Sequence, residues 1–164
     1  MGIIGLLLII INVAFTYKGL KDRLFFEAYE FQVDKVLLNK EYKRIVTGGF
    51  LHASWMHLLF NMFTLFFFSS ALESMVGPVR FLVIYFTSLI GGHLLALFIH
   101  RNHGSYSSIG ASGAVNGIIF ASIALLPGMT INLFFIPIPG WVYGLLYVIF
   151  SIYGIKSKKD NIGH

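Results

Sequence analysis

Long runs of apolar residues, separated by short polar clusters, set the pattern of this chain. The first run covers residues 2–17, with Asn12 its one strongly polar member. A second covers 53–72 and is closed by Glu73-Ser74-Met75-Val76-Gly77-Pro78. The third, 79–100, is followed by a polar stretch from Arg101 to Ser108. A fourth runs over 112–126 and stops at Pro127-Gly128; Pro137 and Pro139 introduce a fifth over 140–155, which Lys156 to Asp160 ends. These runs are continuously apolar, whereas strands of a membrane barrel alternate over about ten residues. A hydrocarbon core about 30 Å thick asks for about 20 apolar residues per helix. The pattern therefore predicts an all-α polytopic membrane protein, a single domain over 1–164 with five transmembrane helices.

Residues 18–47 carry mixed charges together with Phe25, Phe26, Tyr29, Phe31, Val33, Val36, Leu37 and Leu38. That is too much apolar surface for a solvated loop, and it predicts a partly helical segment lying on the membrane interface. The N-terminal run has no basic residue before Ile3 and no small-residue cleavage site after Ile11, so it reads as a first membrane helix and not as a leader.

Composition agrees with a lipid environment: 57% of the 164 residues are hydrophobic, only 12% are charged, and mean hydropathy is +0.79. With no cysteine, disulfides, thiolate chemistry and Cys-bound metal are excluded. The net charge of +5 comes from Lys and Arg placed between the apolar runs, where they meet headgroups. No continuous basic face exists for nucleic acid. If the N-terminus is cytoplasmic, every one of the 12 basic residues except Arg80 falls on the far side; the positive-inside rule favours the opposite orientation.

Polar side chains inside apolar helices are costly unless they face the bundle interior or perform chemistry. His57 and Asn61 are four apart and share a helix face, so both can donate toward one point, with His52 expected nearer the headgroups. Such donors suit the negative charge that develops on a carbonyl oxygen in acyl transfer, although they could equally bond to each other or to a neighbouring helix. Gly110-Ala111-Ser112-Gly113 places Ser112 at a helix start, where backbone N–H groups are free to meet an anion. Ser112 could also serve as a cap, and Gly113-x-x-x-Gly117 as a packing stripe. His93, beside Gly91 and Gly92, marks close helix packing, and Glu73 an interhelical anchor. The remaining histidines lack metal-ligand spacing, so no metal or other cofactor is expected.

Taken together, His52-Ala-Ser-Trp-Met-His57-Leu-Leu-Phe-Asn61 and, two helices on, Gly110-Ala-Ser112-Gly113 resemble the rhomboid family of intramembrane serine proteases. Glu41 to Thr47, Glu73 and Arg80 also match the family's pattern, with Lys43 standing where it usually has Trp. The resemblance implies a rhomboid-like bundle with five of the usual six helices. Ser112 would be the nucleophile, and His57, Asn61 and the Ser112 N–H would form the oxyanion hole. It also implies a cytoplasmic N-terminus, against the charge count. The family's general base is a histidine on a sixth helix, in Ala-His-x-x-Gly; no such motif occurs here, and the sequence is expected to be truncated before it, leaving this chain inactive. His164 is the competing candidate base, with no helix to hold it, and His57 ranks below it because the family places that residue in the oxyanion hole.

The complete protein is expected to cleave transmembrane segments of other membrane proteins, in a bacterial cytoplasmic membrane, with the lipid bilayer as its other partner. The alternative is a catalytically dead relative that binds or escorts membrane clients.

Overall fold

The computed structural model describes residues 2–133, 136–146 and 149. Helix α1, Ile3–Lys21, gives way at Asp22, whose extended backbone breaks it and whose carboxylate caps α2, Arg23–Tyr29, by accepting the Phe25 N–H at 3.1 Å. A short strand β1, Phe31–Gln32, leads into α3, Val33–Leu37, and α4, Arg44–Thr47, continues as a 3₁₀ turn over Gly48–Phe50. Helix α5, Trp55–Val76, starts on the Ser54 hydroxyl, which accepts the His57 N–H, and α6, Pro78–His100, starts on a proline that has no N–H to lose. Strand β2, Ser107–Ser108, precedes α7, Ser112–Leu125; then β3, Thr130–Leu133, and β4, Ile136–Pro139, form an antiparallel hairpin.

The expectation of five membrane-crossing helices, in a purely α-helical chain, is corrected here. Among the described residues three helices are long and apolar enough to cross: α1, α5 and α6. Helix α7 has 14 residues, about 21 Å at 1.5 Å per residue, and falls short of a hydrocarbon core of about 30 Å. One face of it is buried in protein, where Ala114, Ile118 and Ile119 have no exposed surface. The stretch before the expected fifth helix is the β3–β4 hairpin, with Pro137 and Pro139 on a strand that needs few donors. Residues 140–146 are helical, and the rest of 140–155, apart from Ile149, lies outside the described residues, as do Lys156 to His164.

Helix α7 packs between α5 and α6. Its approach to α6 leaves no room for a side chain at Gly117, where a Cβ would collide with the Ser88 hydroxyl, whereas one at Gly113 would make ordinary contact, 3.5 Å from the Ser88 carbonyl oxygen. Helix α1 lies against α5, where the Glu73 carboxylate accepts the N–H groups of Ile4 at 3.1 Å and Gly5 at 3.0 Å. This carboxylate meets the positive end of α1 and satisfies two donors that the helix itself cannot.

The segment over 18–47 is tied down through Arg44, which is 4% exposed. Its Nη1 donates to the carbonyls of Glu27 at 2.7 Å and Glu30 at 2.8 Å, and its Nε to the Glu41 carboxylate at 2.8 Å. That hydrogen bond holds the Glu41 carboxyl below its usual range. Lys18, Lys21 and Lys43 lie over the rings of Phe25, Tyr17 and Tyr29. Arg44 is thus spent inside the protein, which weakens a charge count that treats every cation as a headgroup ligand. Strand β1 pairs antiparallel with β2, Phe31 opposite Ser108, so the segment over 18–47 holds the loop that leads to Ser112.

Candidate active site

The site is assembled around residues 110–112. Gly110 has φ +116°, a conformation open essentially to glycine, and its N–H donates to the Gly48 carbonyl at 3.0 Å. The next N–H, of Ala111, donates to His52 Nε2 at 3.3 Å. An acceptor Nε2 fixes the His52 tautomer: Nδ1 carries the hydrogen and donates to Thr16 Oγ1 at 2.9 Å, and the Thr16 hydroxyl donates to the Phe50 carbonyl at 3.1 Å. One fully buried imidazole therefore links α1 to the loop that carries Ser112. The sequence places His52 nearer the headgroups, as if α5 extended back to it, but residues 51–54 are not helical and His52 is turned into the protein.

Burial, reinforced by the nearby His57, pushes the His52 pKa down to about 3. In the unfolded chain the group titrates near 6.5, so between those values the unfolded state binds more protons and stability falls as the pH is lowered. Thermal unfolding in detergent should show a destabilisation that begins below about pH 6.5, with a slope of at most about 1.4 kcal/mol per pH unit from this group. In His52→Gln, which keeps a donor and an acceptor, that component should disappear; an unchanged slope would remove His52 as its source.

His57 lies in the first turn of α5, its ring edge-on to that of His52 at 4.9 Å between centroids. It also faces Gly110: a Cβ there would stand 2.7 Å from His57 Cε1 and 2.8 Å from Nε2. Asn61, one turn further and almost fully buried, donates one Nδ2 hydrogen to the His57 carbonyl at 3.0 Å and keeps a second. Ser112 is the first residue of α7. No side chain caps that helix, and Val115 makes its first closing bond, to the Ala111 carbonyl. The N–H groups of Ser112 and Gly113 are consequently left over at the positive end of the helix dipole. The structure brings His52 and His57 to the loop of Ser112. His164 lies outside the described residues.

Ser112 also lines an open-sided cavity of about 40 Å³ together with Ser108, Gly110, Gly92 and His93. The sequence reads His93, after Gly91 and Gly92, as a mark of close helix packing, and the structure places it at this cavity.

These features define an integral, multi-pass membrane protein with a polar, serine-containing site at the start of a buried helix. A family model described as a Rhomboid domain matches residues 39–164. The chain belongs to the rhomboid family. It is 33% identical over 147 residues to Rhomboid protein 1, mitochondrial, of Saccharomyces cerevisiae, covering 84% of this chain and 42% of that protein. RHOMBOID-like protein 12, mitochondrial, of Arabidopsis thaliana is 31% identical over 134 residues, with 72% and 40% covered. The rhomboid protein YdcA of Bacillus subtilis is 41% identical over 80 residues, with 49% and 39% covered. The matches span about two fifths of the length of each of these relatives, which come from a yeast, a plant and a bacterium and so do not assign the chain to a bacterial membrane.

Proposed function

We propose that the protein is an intramembrane serine endopeptidase that cleaves transmembrane segments of other membrane proteins, with Ser112 as nucleophile. A substrate helix buries its carbonyls in its own hydrogen bonds and must unwind locally before Ser112 can reach one. Attack by Ser112 Oγ then yields a tetrahedral oxyanion. The Ser112 N–H, His57 and the second N–H of Asn61 are the donors proposed to stabilise it. Collapse expels the amine half of the substrate and leaves an acyl-enzyme for water to hydrolyse. The general base of the proposed Ser-His dyad is the histidine of the family's Ala-His-x-x-Gly motif, of which residues 1–164 contain no copy.

The observation that carries this reading is a serine at the uncapped start of α7, two residues from a glycine against which the His57 imidazole is packed. The test is a fluorophosphonate probe applied to the full-length protein in detergent. Its phosphorus bonds to an activated serine oxygen with loss of fluoride, and peptide mapping should place the adduct on Ser112. Labelling at another serine, or none in a folded sample, would reject Ser112 as nucleophile and favour a client-binding protein.

A further inference from the structure

We propose that Thr16, on α1, is a positioning residue for the oxyanion hole: its hydroxyl holds His52 in the one tautomer that can accept the Ala111 N–H, and so fixes where the Ser112 N–H points. This deepens the protease reading and rests on it.

Thr16 departs from what a threonine in an apolar helix ordinarily does. Such a hydroxyl bonds back to the carbonyl four residues earlier in its own helix, as Thr64 does to Phe60 at 2.9 Å and Thr87 to Val83 at 2.6 Å. Thr16 is fully buried and bonds outward instead, to Phe50 and His52 on the segment before α5. Its one hydrogen goes to the Phe50 carbonyl, which can only accept, so it has only a lone pair to offer His52. The imidazole must donate from Nδ1 and keep its own lone pair on Nε2. Helix α1 is itself held in register. Asn12, one turn before Thr16, donates to the Tyr85 hydroxyl on α6 at 3.1 Å, and the Glu73 carboxylate holds the start of the helix.

The consequence falls on Ala111. Its N–H is held by His52 Nε2 at 3.3 Å and its carbonyl by the Val115 N–H at 2.9 Å, so its backbone is pinned on both sides. The planar peptide between Ala111 and Ser112 carries the N–H proposed as an oxyanion donor, and its direction follows from those two bonds. The Val115 bond comes with α7, whereas the His52 bond depends on where a side chain keeps its proton. With that proton on Nε2, two N–H donors would face each other across 3.3 Å, and the loop would have to give way. An acceptor at Nδ1 favours the productive tautomer, and Thr16 supplies it.

The test compares wild type, Thr16→Val and Thr16→Ser in the full-length protein. Valine keeps the branched shape and lacks the acceptor; serine keeps the hydroxyl. Three quantities are measured on folded protein: kcat and KM for a single-pass substrate, the rate of fluorophosphonate labelling at Ser112, and the nitrogen NMR shift of histidine labelled at Nδ1. His52→Gln identifies the His52 signal by its loss. Thr16→Val is expected to lower kcat about 10- to 100-fold, since removing an oxyanion donor costs up to about 1,000-fold and here the donor is displaced, not deleted. KM should stay within about twofold, because the lost interaction is made in the transition state. Labelling should fall with kcat, as phosphonylation places its negative oxygen in the same hole. The His52 Nδ1 signal, that of an N–H nitrogen in wild type, should become that of a lone-pair nitrogen. Thr16→Ser should keep the N–H signal and return most of kcat. A wild-type His52 without hydrogen on Nδ1 would overturn the proposal whether or not Thr16→Val folds. Unchanged kcat in folded Thr16→Val would also overturn it, as would a fall in kcat with the tautomer unchanged, which marks a purely structural role; in each case the protease reading stands. A wild-type protein that neither labels at Ser112 nor cleaves would sink that reading and the proposal with it.

Discussion

Ser112→Ala is expected to abolish cleavage of a single-pass substrate in proteoliposomes, a loss of at least about a thousandfold, with the protein still folded. The size follows from the role: alanine has no oxygen to form the acyl bond, and donors to an oxyanion are useless without an attacking group. The fold should survive because the side chain borders a cavity and caps nothing. Alanine is also a better helix former than serine, so the change in unfolding free energy should stay within about 0.5 kcal/mol. Measuring substrate cleavage alongside thermal unfolding separates the two effects. Cleavage that persists in a folded Ser112→Ala protein would remove the serine mechanism.

The family was more legible in the sequence than the fold that carries its motifs. His57 and Asn61 could be paired from their spacing because both lie inside a real helix, where a separation of four fixes a common face. Ser112 could be placed at a helix start because glycines and polar residues crowd the chain before it. His52 could not, since it precedes α5 in irregular backbone and its partners, Thr16 and Ala111, are 36 and 59 residues away in sequence. Hydropathy alone also cannot separate a helix surrounded by lipid from one surrounded by protein. The residues of α7 are as apolar as those of α6, and it is its shorter length that sets α7 apart from the three helices that are long enough to cross among the described residues. The β3–β4 hairpin was missed because Pro137 and Pro139 read as an approach to a helix, while their pairing with Thr130 to Leu133 depends on register that apolarity does not encode.

Gly110→Ala should be nearly as damaging to cleavage as loss of the nucleophile, and for a reason that only the three-dimensional arrangement supplies. Two penalties coincide at this residue. The backbone at φ +116° is strained for any residue with a Cβ, by about 1–3 kcal/mol. The added methyl would also stand 2.7 Å from His57 Cε1, so the imidazole or the loop must move. Displacing a proposed oxyanion donor costs about 100- to 1,000-fold in kcat, and the strain should lower the unfolding free energy as well. Gly77→Ala separates these contributions. Gly77 also has positive φ, +82°, but nothing lies within 4 Å of the position its Cβ would take. It should lose stability through backbone strain alone, with kcat per folded molecule unchanged. If Gly110→Ala resembles Gly77→Ala, cleaving at the wild-type rate once folded, then the close packing of His57 against Gly110 is not what stabilises the transition state, and the oxyanion donors must be sought elsewhere around Ser112.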